Sequence, residues 1–488
     1  MKRFKRILLQ IHQISGSVMS LIFVVWCLSG IILIFDGFPH ASREKRFLHL
    51  QTFGSADFEH LQAPPQKAKG DIALELCNGK PVYRLKQGMR AEKVYDAETL
   101  NPISSFSKEQ AIQLSSSYCQ ADVSKLIVPN QLDQWIPWSY YKPLLPFYKC
   151  YMNDDDQSVV YVSSKTGNII QHTTQSARWS ARLGAIPHWA YFSFLRQRTG
   201  AWEKVIIILS TLGLVVSISG IIVGIIRLKR KKGITPYKKF WYKWHHLSGF
   251  FFGLFLCTFI LSGMISVTGV PDWLVFIHSS EKEKISWVKP SAEQQTALLP
   301  QTIWEAVEQK KGIRRIAWKK VLDKTQLWIY YNNYEEPVAY TNNQGKVEKV
   351  KPYSLLEIEK IAQVIFKKND FNVSLQRNYD SYYAPSAMRF HPKPVYKITL
   401  NDVASTWLYI DPATGESVQK IDRNYRARRW LYRALHTFNF PWLQKADWLR
   451  KAILLLLCLA CFAISLTGCV LKYKLFIQKK NLSNHINK

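Results

Sequence analysis

Four long apolar stretches dominate the hydrophobic pattern of this 488-residue chain. They contain no charged residue and run about 12–35, 205–226, 246–270 and 452–471. A helix needs roughly 20 apolar residues to cross the hydrocarbon core of a bilayer, so the pattern predicts four membrane spans. The basic N-terminus resembles the start of a signal peptide, but the apolar stretch after it is too long and has no small-x-small cleavage site. We therefore expect an uncleaved span.

The basic residues predict the orientation of the spans. The segment between the second and third spans has eight basic and no acidic residues, which are Arg227, Lys229, Arg230, Lys231, Lys232, Lys238, Lys239 and Lys243. Both terminal segments are basic as well. The positive-inside rule then places these three pieces in the cytoplasm. We expect a multi-pass protein of the bacterial inner membrane, with both termini cytoplasmic and both long loops periplasmic.

The predicted order of segments alternates spans with loops. It reads first span (1–36), first periplasmic domain with a re-entry segment (37–203), second span (204–228), basic cytoplasmic loop (229–244), third span (245–270), second periplasmic domain with a re-entry segment (271–450), fourth span (451–472) and cytoplasmic tail (473–488).

Each long loop shows alternation typical of strands. Apolar residues alternate around Thr166-Gly167 and Thr414-Gly415, which predicts β-hairpins. Helical spacing appears at Glu109–Tyr118 and Leu355–Phe366. The fold class is therefore a membrane α-helical four-span bundle with two periplasmic α+β domains.

Several residues recur at a fixed separation. His188 matches His436, Thr166-Gly167 matches Thr414-Gly415 and Gly220 matches Gly468, each 248 positions later. The pentapeptide that starts at His12 recurs from His245, 233 positions later. The chain thus reads as an internal duplication, with its halves related by a pseudo-two-fold axis along the membrane normal.

Composition narrows the function. The net charge of +31 invites a nucleic-acid interpretation, but many basic residues lie where topology requires them and no nucleic-acid motif is visible. Dinucleotide, P-loop, zinc-protease and hydrolase motifs are also missing. Five of the eight cysteines lie in spans, and the other three (Cys77, Cys119 and Cys150) allow at most one disulfide, whose presence the sequence leaves open.

Four histidines carry the candidate chemistry. His12 and His245 lie at the cytoplasmic ends of spans, whereas His188 and His436 precede spans at the outer face. At about 1.5 Å per residue the two sets are too far apart to share one metal. A parallel repeat instead pairs His12 with His245 and His188 with His436. We expect two haem b groups whose irons take these histidines as axial ligands, bound non-covalently because C-x-x-C-H is missing.

Glycines accompany the histidines along the helices. Gly16 and Gly249 follow His12 and His245 by one turn, and removal of a side chain there lets a flat macrocycle lie against the helix. Close packing between helices explains the same spacing.

Other residues compete for these roles. His246 is an alternative to His245, and His40 with His278 are alternatives for the outer haem. Arg178 and Arg426 occupy equivalent positions and are candidates for pairing with haem propionates.

Two segments resemble a known family. The run from Arg429 to His436 and the sequence Asp380-Ser381-Tyr382-Tyr383 resemble the PepSY-associated transmembrane helix proteins, although the first half has Pro187 before His188 and lacks the aspartate. That family includes iron-regulated inner-membrane proteins and haem-containing reductases of ferric siderophores. The resemblance implies PepSY-like outer domains and iron chemistry.

These observations favour one function over two others. The leading hypothesis is an oxidoreductase that takes electrons from quinol or a cytoplasmic reductase and reduces a ferric substrate, such as a ferric siderophore, outside the membrane. The alternative is a non-enzymatic, membrane-anchored protein that binds or senses a periplasmic ligand or peptidase. A third possibility is a transport accessory whose histidines relay metal.

Overall fold

The computed structural model describes residues 2–65, 72–86, 92–228, 235–271, 275, 287, 300–307, 309–322, 324–343, 346–366, 370–384 and 391–486. The α-helices of this part of the chain are α1 (Lys2–Leu33), α2 (Arg43–Leu48), α3 (Lys108–Cys119), α4 (Gln175–Leu183), α5 (Ala185–Trp189), α6 (Ser193–Arg196), α7 (Thr199–Ile226), α8 (Phe240–Thr268), α9 (Pro300–Ala306), α10 (Leu355–Ile365), α11 (Arg423–Arg428), α12 (Leu435–Thr437), α13 (Pro441–Gln444) and α14 (Asp447–Ile486). Two 3-10 helices, Ala56–Phe58 and Ser139–Leu144, lie in the first loop. A π-helical turn, Arg429–Ala434, links α11 to α12.

The strands are short and all pair antiparallel. They are β1 (Ile72–Cys77), β2 (Lys80–Lys86), β3 (Glu92–Asp96), β4 (Pro102–Ile103), β5 (Val123–Ile127), β6 (Phe147–Met152), β7 (Val159–Ser163), β8 (Ile169–Thr173), β9 (Arg315–Val321), β10 (Lys324–Tyr330), β11 (Val338–Asn343), β12 (Lys346–Lys349), β13 (Phe371–Gln376), β14 (Val395–Leu400), β15 (Trp407–Ile410) and β16 (Ser417–Ile421).

The chain divides into two compact units. The helical unit comprises 1–38, 177–275 and 424–488, and the sheet unit comprises 39–176 and 276–423. The re-entry segments that the sequence placed with the outer domains therefore belong to the helical unit.

In the part of the helical unit that the structure describes, four helices are long and apolar enough to cross a membrane, which confirms the four predicted spans. They are α1, α7, α8 and α14, with mean hydropathies of 2.3, 2.6, 2.2 and 2.7 in their most apolar stretches. Each packs against two of the others, α1 and α8 both contacting α7 and α14. Their shared core includes Met19, Phe23, Leu256, Ile260 and Ile464. Apolar residues on the outer faces, such as Ile14 and Leu254, are exposed and suit contact with lipid.

Within its described residues, the sheet unit contains three antiparallel sheets. The largest has eight strands in the order β12-β11-β10-β9-β1-β2-β3-β4, and the others are β5–β8 and β13–β16. Both predicted hairpins are present. Gly167 turns the chain between β7 and β8 with a φ of +67°, and Gly415 turns it between β15 and β16 with a φ of +73°. The predicted helices are also present as α3 and α10, each starting at a capping box.

The eight-stranded sheet joins the two halves of the chain. Strand β1 from the first loop pairs with β9 from the second, with Glu75 opposite Arg315. Two separate α+β domains were expected from the sequence. Alternation specifies which face of a strand is buried but not which strand lies beside it, so the pattern did not reveal this pairing. All eight cysteines are free, and Cys77, Cys119 and Cys150 form no disulfide.

Candidate functional site

Two pairs of histidines face each other within the helical unit. The first pair is His12 on α1 and His245 on α8, with ring centres 6.2 Å apart and ring planes at 37°. The second pair is His188 on α5 and His436 on α12, with ring centres also 6.2 Å apart and ring planes at 64°. The structure thus brings together the residues that the sequence repeat paired, and their role as haem ligands stays a prediction.

The two pairs lie at different levels of the helix bundle. His188 bonds the carbonyl of Trp26 on α1, which is 14 residues beyond His12. His436 bonds the carbonyl of Phe259 on α8, which is 14 residues beyond His245. At 1.5 Å per residue, about 21 Å of helix separates the levels of the two pairs.

Every one of the four imidazoles uses Nδ1 in the same way. The Nδ1 atom lies within hydrogen-bond distance of a backbone carbonyl on a neighbouring span. The distances are 3.1 Å from His12 to Val216, 3.2 Å from His245 to Ile464, 3.0 Å from His188 to Trp26 and 3.1 Å from His436 to Phe259. A carbonyl oxygen only accepts, so each Nδ1 carries the proton.

A hydroxyl three residues after each carbonyl contacts the same nitrogen. The distances to Nδ1 are 3.4 Å for Ser219, 3.0 Å for Thr467, 3.2 Å for Ser29 and 3.0 Å for Ser262. Each of these hydroxyls also donates to the carbonyl four residues before it, at 2.6–2.8 Å. The hydroxyl hydrogen is therefore already used in that bond, and the hydroxyl oxygen accepts a hydrogen bond from Nδ1–H.

This arrangement leaves Nε2 as the reactive nitrogen. With the proton held on Nδ1, Nε2 keeps its lone pair, and within the described residues it makes no hydrogen bond in any of the four rings. A histidine that donates Nδ1–H to a carbonyl is the usual form of a metal ligand, because the bond fixes tautomer and orientation.

Burial keeps the second pair neutral. It lowers the pKa of His436 to about 4. Burial, together with the neighbouring His436, likewise lowers the pKa of His188 to about 4, and the bond to Trp26 opposes this shift. Both imidazoles are therefore unprotonated at Nε2 near pH 7, as a metal ligand has to be.

A glycine follows each of the four hydroxyl residues, and an imidazole lies against it. A Cβ added at Gly220 would lie 2.7 Å from the Cε1 of His12, and one added at Gly468 would lie 3.6 Å from the Cε1 of His245. At the second pair, a Cβ on Gly30 would lie 3.2 Å from the Cε1 of His188, and one on Gly263 would lie 3.4 Å from the Cε1 of His436. The glycines thus make room for the histidine rings.

The segment of each span that receives a histidine ring was not predicted from the sequence. The receiving copies of this pattern, an aliphatic residue followed by a hydroxyl residue and glycine, are Leu28-Ser29-Gly30, Ile218-Ser219-Gly220, Leu261-Ser262-Gly263 and Leu466-Thr467-Gly468, one in each span. The same pattern also occurs at Ile14-Ser15-Gly16, Leu247-Ser248-Gly249 and Val267-Thr268-Gly269, so its occurrence in the sequence does not identify the copies that receive a histidine. The carbonyl partners were not visible either, since every residue has one.

The glycines expected to clear space beside the first pair contact no histidine. A Cβ at Gly16 would meet Val216 at 3.9 Å, and one at Gly249 would meet nothing within 4 Å. Space is therefore open beside Gly249, one turn from His245. The contact of Gly16 and Gly249 with a macrocycle stays a prediction.

A cavity of about 640 Å³ adjoins the second pair. His188 and His436 line it together with apolar and aromatic residues of the bundle. Arg428 and Arg450 also line it, and Arg450 is ion-paired with Asp447. Its volume falls within the range of sites for small molecules and cofactors. The arginines at this cavity are not the expected Arg178 and Arg426, which are half-buried elsewhere in the helical unit.

The alternative histidines have other positions. His246 is buried, and its Nε2 lies 3.1 Å from the carbonyl of Gly224, so His245 is the member that faces His12. His40 is exposed and belongs to the sheet unit. His278 lies outside the described residues.

The spacing within each pair suits a metal between two imidazoles. A ligating nitrogen lies roughly 2 Å from the metal and about 1.1 Å from its own ring centre, which puts two opposed ring centres roughly 6 Å apart. Both observed values are 6.2 Å.

Comparison with protein families gives a match over nearly the whole chain. A family model described as the PepSY-associated TM region covers residues 9–474. No curated protein matches the chain.

Proposed function

This chain belongs to the family of the PepSY-associated TM region, and on that premise we propose that it is a haem b electron-transfer protein that reduces a ferric substrate on the periplasmic side of the bacterial inner membrane. The observation that carries the proposal is the fourfold bonding of Nδ1 to a carbonyl and a hydroxyl, which leaves the Nε2 lone pair available on both rings of each neighbouring pair.

The donor set favours haem over a bare metal ion. Each pair offers two imidazoles, and among the described residues no group of three or more histidine, cysteine, aspartate or glutamate side chains is placed to hold a metal ion. A bare ion needs more protein ligands than two, whereas the porphyrin of haem supplies four nitrogens and needs only axial ligands. The residues therefore fit haem.

Each residue of the site has a task in this proposal. His12 and His245 would hold one haem, and His188 and His436 the other, while the carbonyls and hydroxyls orient the rings. Arg428 and Arg450 would face the propionates of the second haem, as guanidinium groups pair with carboxylates. When bound, haem b supplies one-electron chemistry at iron.

The packing between the two pairs favours electrons over ions as the transported species. Met19 and Phe23 on α1 and Leu256 on α8 lie between the two levels and are buried in an apolar core. An ion crossing this region would lose its hydration without gaining polar partners. This observation disfavours the transport accessory that relays metal.

The substrate follows from the chemistry of iron chelates and from the family resemblance. Hard oxygen ligands bind Fe(III) strongly, and reduction to Fe(II) weakens such a chelate and releases the metal. Quinol or a cytoplasmic reductase would supply the electrons. The family resemblance favours a ferric siderophore as the chelate.

The test is the visible absorption spectrum of the purified full-length protein. We expect a Soret band that sharpens on dithionite reduction and a content of two haems per chain. His245→Ala and His436→Ala should each lower the content to one, whereas His246→Ala, which alters the adjacent buried histidine, should retain both. A protein without a Soret band would leave the non-enzymatic binding role as the better hypothesis.

A further inference from the structure

The sheet unit contains its own cavity, at the place where the two halves of the chain meet. Its volume is about 740 Å³, and it borders the paired strands β1 and β9. Four arginines line it, which are Arg43, Arg46, Arg84 and Arg315.

The carboxylates of this cavity do not neutralise the arginines. Among the described residues that line it, two are glutamates, Glu75 and Glu92, so these described residues carry four positive and two negative charges. The buried Glu75 is already paired with both Arg84, at 2.7 Å, and Arg315. Burial alone would raise the pKa of Glu75, but the two arginines outweigh it and hold the pKa below its usual value, so this carboxylate stays ionised and bound to them. The cavity therefore has an excess of positive charge.

The surroundings of His49 show the same excess. His49 lines the cavity, and its pKa is lowered by burial and then by the positive charges of Lys45 and Arg314. Both of these cations add to those of the lining arginines. On the other wall Tyr334 donates to Glu335 at 2.7 Å and lies near Glu44, so the attraction for an anion comes from the arginine side of the cavity.

One wall of the cavity is aromatic. Phe47 contacts Tyr330 and Tyr334, with ring centres 6.1 and 6.0 Å apart, and all three line the space. A ligand that fits this cavity therefore meets flat apolar surface as well as guanidinium groups.

The matching turn in the second half is filled by protein. Gly167 borders the cavity, and the sequence repeat pairs it with Gly415. At Gly415 the buried indole of Trp287 donates to the backbone carbonyl at 2.8 Å and lies against Phe366. The first turn thus borders basic space, whereas the second is in contact with a buried tryptophan.

We propose that this cavity binds an anionic chelate of ferric iron, whose oxygens pair with the arginines and whose body packs on the aromatic wall. The identity of the ligand rests on the proposed function. Guanidinium groups bind carboxylate and similar oxygens through paired hydrogen bonds. The volume suits a molecule far larger than an inorganic anion.

The test measures binding separately from reduction. Isothermal titration calorimetry on the full-length protein would use gallium complexes, because Ga(III) resembles Fe(III) but is not reduced. We expect gallium citrate or gallium tris-catecholate to bind, and binding to weaken as salt increases. A cationic gallium hydroxamate and inorganic phosphate should not bind at the same concentrations.

Matched variants locate the site. Arg46→Glu should weaken binding of the anionic complex roughly tenfold or more, since it removes a charged donor. Arg377→Glu makes the same change of charge at an exposed position outside the cavity and should leave binding unchanged. Ser117→Trp places a large side chain in the cavity from an exposed position on α3 without changing the charge, and we expect it to abolish binding.

Three results would overturn the proposal. They are equal binding by Arg46→Glu and Arg377→Glu, equal binding of anionic and cationic complexes, and binding of phosphate as tight as that of the chelate. Haem content separates the two proposals. If the protein binds the chelate but contains no haem, the proposed site stands and the proposed function is wrong. If the protein contains two haems but binds no anionic chelate, the proposed function stands and the proposed site is wrong.

Discussion

The two histidine pairs have the same surroundings but are presented by different kinds of structure. His12 and His245 project from the long spans α1 and α8, whereas His188 and His436 lie on the short helices α5 and α12, ahead of spans. The ring planes differ accordingly, at 37° and 64°. In contrast, the carbonyl, the hydroxyl and the glycine that receive each ring are the same in all four cases. The constant part of the site therefore belongs to the receiving span, not to the element that carries the histidine.

The receiving glycines give the largest expected effect. Gly220→Ala would put a Cβ 2.7 Å from the Cε1 of His12, closer than real contacts allow, and should displace the ring and remove the haem of the first pair. We expect the haem content to fall from two to one. Gly468→Ala, where the distance to His245 is 3.6 Å, should retain both haems.

The control lies one turn further along the same helix. Gly224 has nothing within 4 Å of an added Cβ, so Gly224→Ala should leave the haem content unchanged. Loss of haem from Gly224→Ala but not from Gly220→Ala would show that the contact with His12 is unimportant.

The sequence predicted the parts of this site that depend on position along the chain. Apolar length located the spans, and the recurrence of histidines at fixed separations gave the pairs. It did not predict the contacts across the bundle. Gly16 and Gly249 were selected because they share a helix face with His12 and His245, but the glycines that contact the rings lie on the neighbouring spans. Periodicity describes one helix at a time, and the choice of a neighbour depends on tertiary packing.

The same limit applies to the sheet unit. The turns at Gly167 and Gly415 were predictable, because a tight turn with positive φ favours glycine. The pairing of β1 with β9 was not, and neither was the ion pair that Arg315 makes with Glu75 across it. Local signals therefore gave the hairpins, and the contacts between them required the structure.

The hydroxyls should have the next largest effect. Thr467→Val and Ser262→Ala remove acceptors 3.0 Å from His245 and His436, and each should weaken haem binding at its own pair roughly tenfold, as loss of an outer-shell partner does. Ser219→Ala should have a smaller effect, because its hydroxyl is 3.4 Å from His12. The measurement is haem loss to an excess of a haem-binding acceptor protein.

Thr211→Val provides the matched control for the hydroxyls. Thr211 bonds the carbonyl four residues before it on α7, as Thr467 does on α14, but it is exposed and makes no contact with a histidine. Equal haem loss from Thr211→Val and Thr467→Val would mean that the hydroxyls support the helices and do not orient the rings.

Substitution of an arginine should weaken haem binding less than the changes above, and at one histidine pair only. Arg428 lines the cavity of the second pair, so Arg428→Gln should weaken haem binding there severalfold and leave the first pair unchanged. The effect is limited because Arg428 is exposed and its charge is screened by solvent. Arg178→Gln serves as the comparison, and a larger loss from it would restore the pairing expected from the sequence.

The smallest effect is expected at Gly249, and it tests whether the first pair uses the open space beside it. Without a ligand, Gly249→Ala meets nothing within 4 Å and gains up to about 1 kcal/mol of helix propensity, so the thermal stability of the haem-free protein should stay the same or rise. If a macrocycle lies against this face, the new methyl group contacts it, and haem should dissociate faster from the first pair only. Unchanged dissociation together with unchanged stability would mean that the macrocycle lies elsewhere and that the glycine serves packing between helices. Because the haem-free protein has room for the methyl group, a change in the rate of haem release would come from contact between the methyl group and the haem and not from a change in the fold.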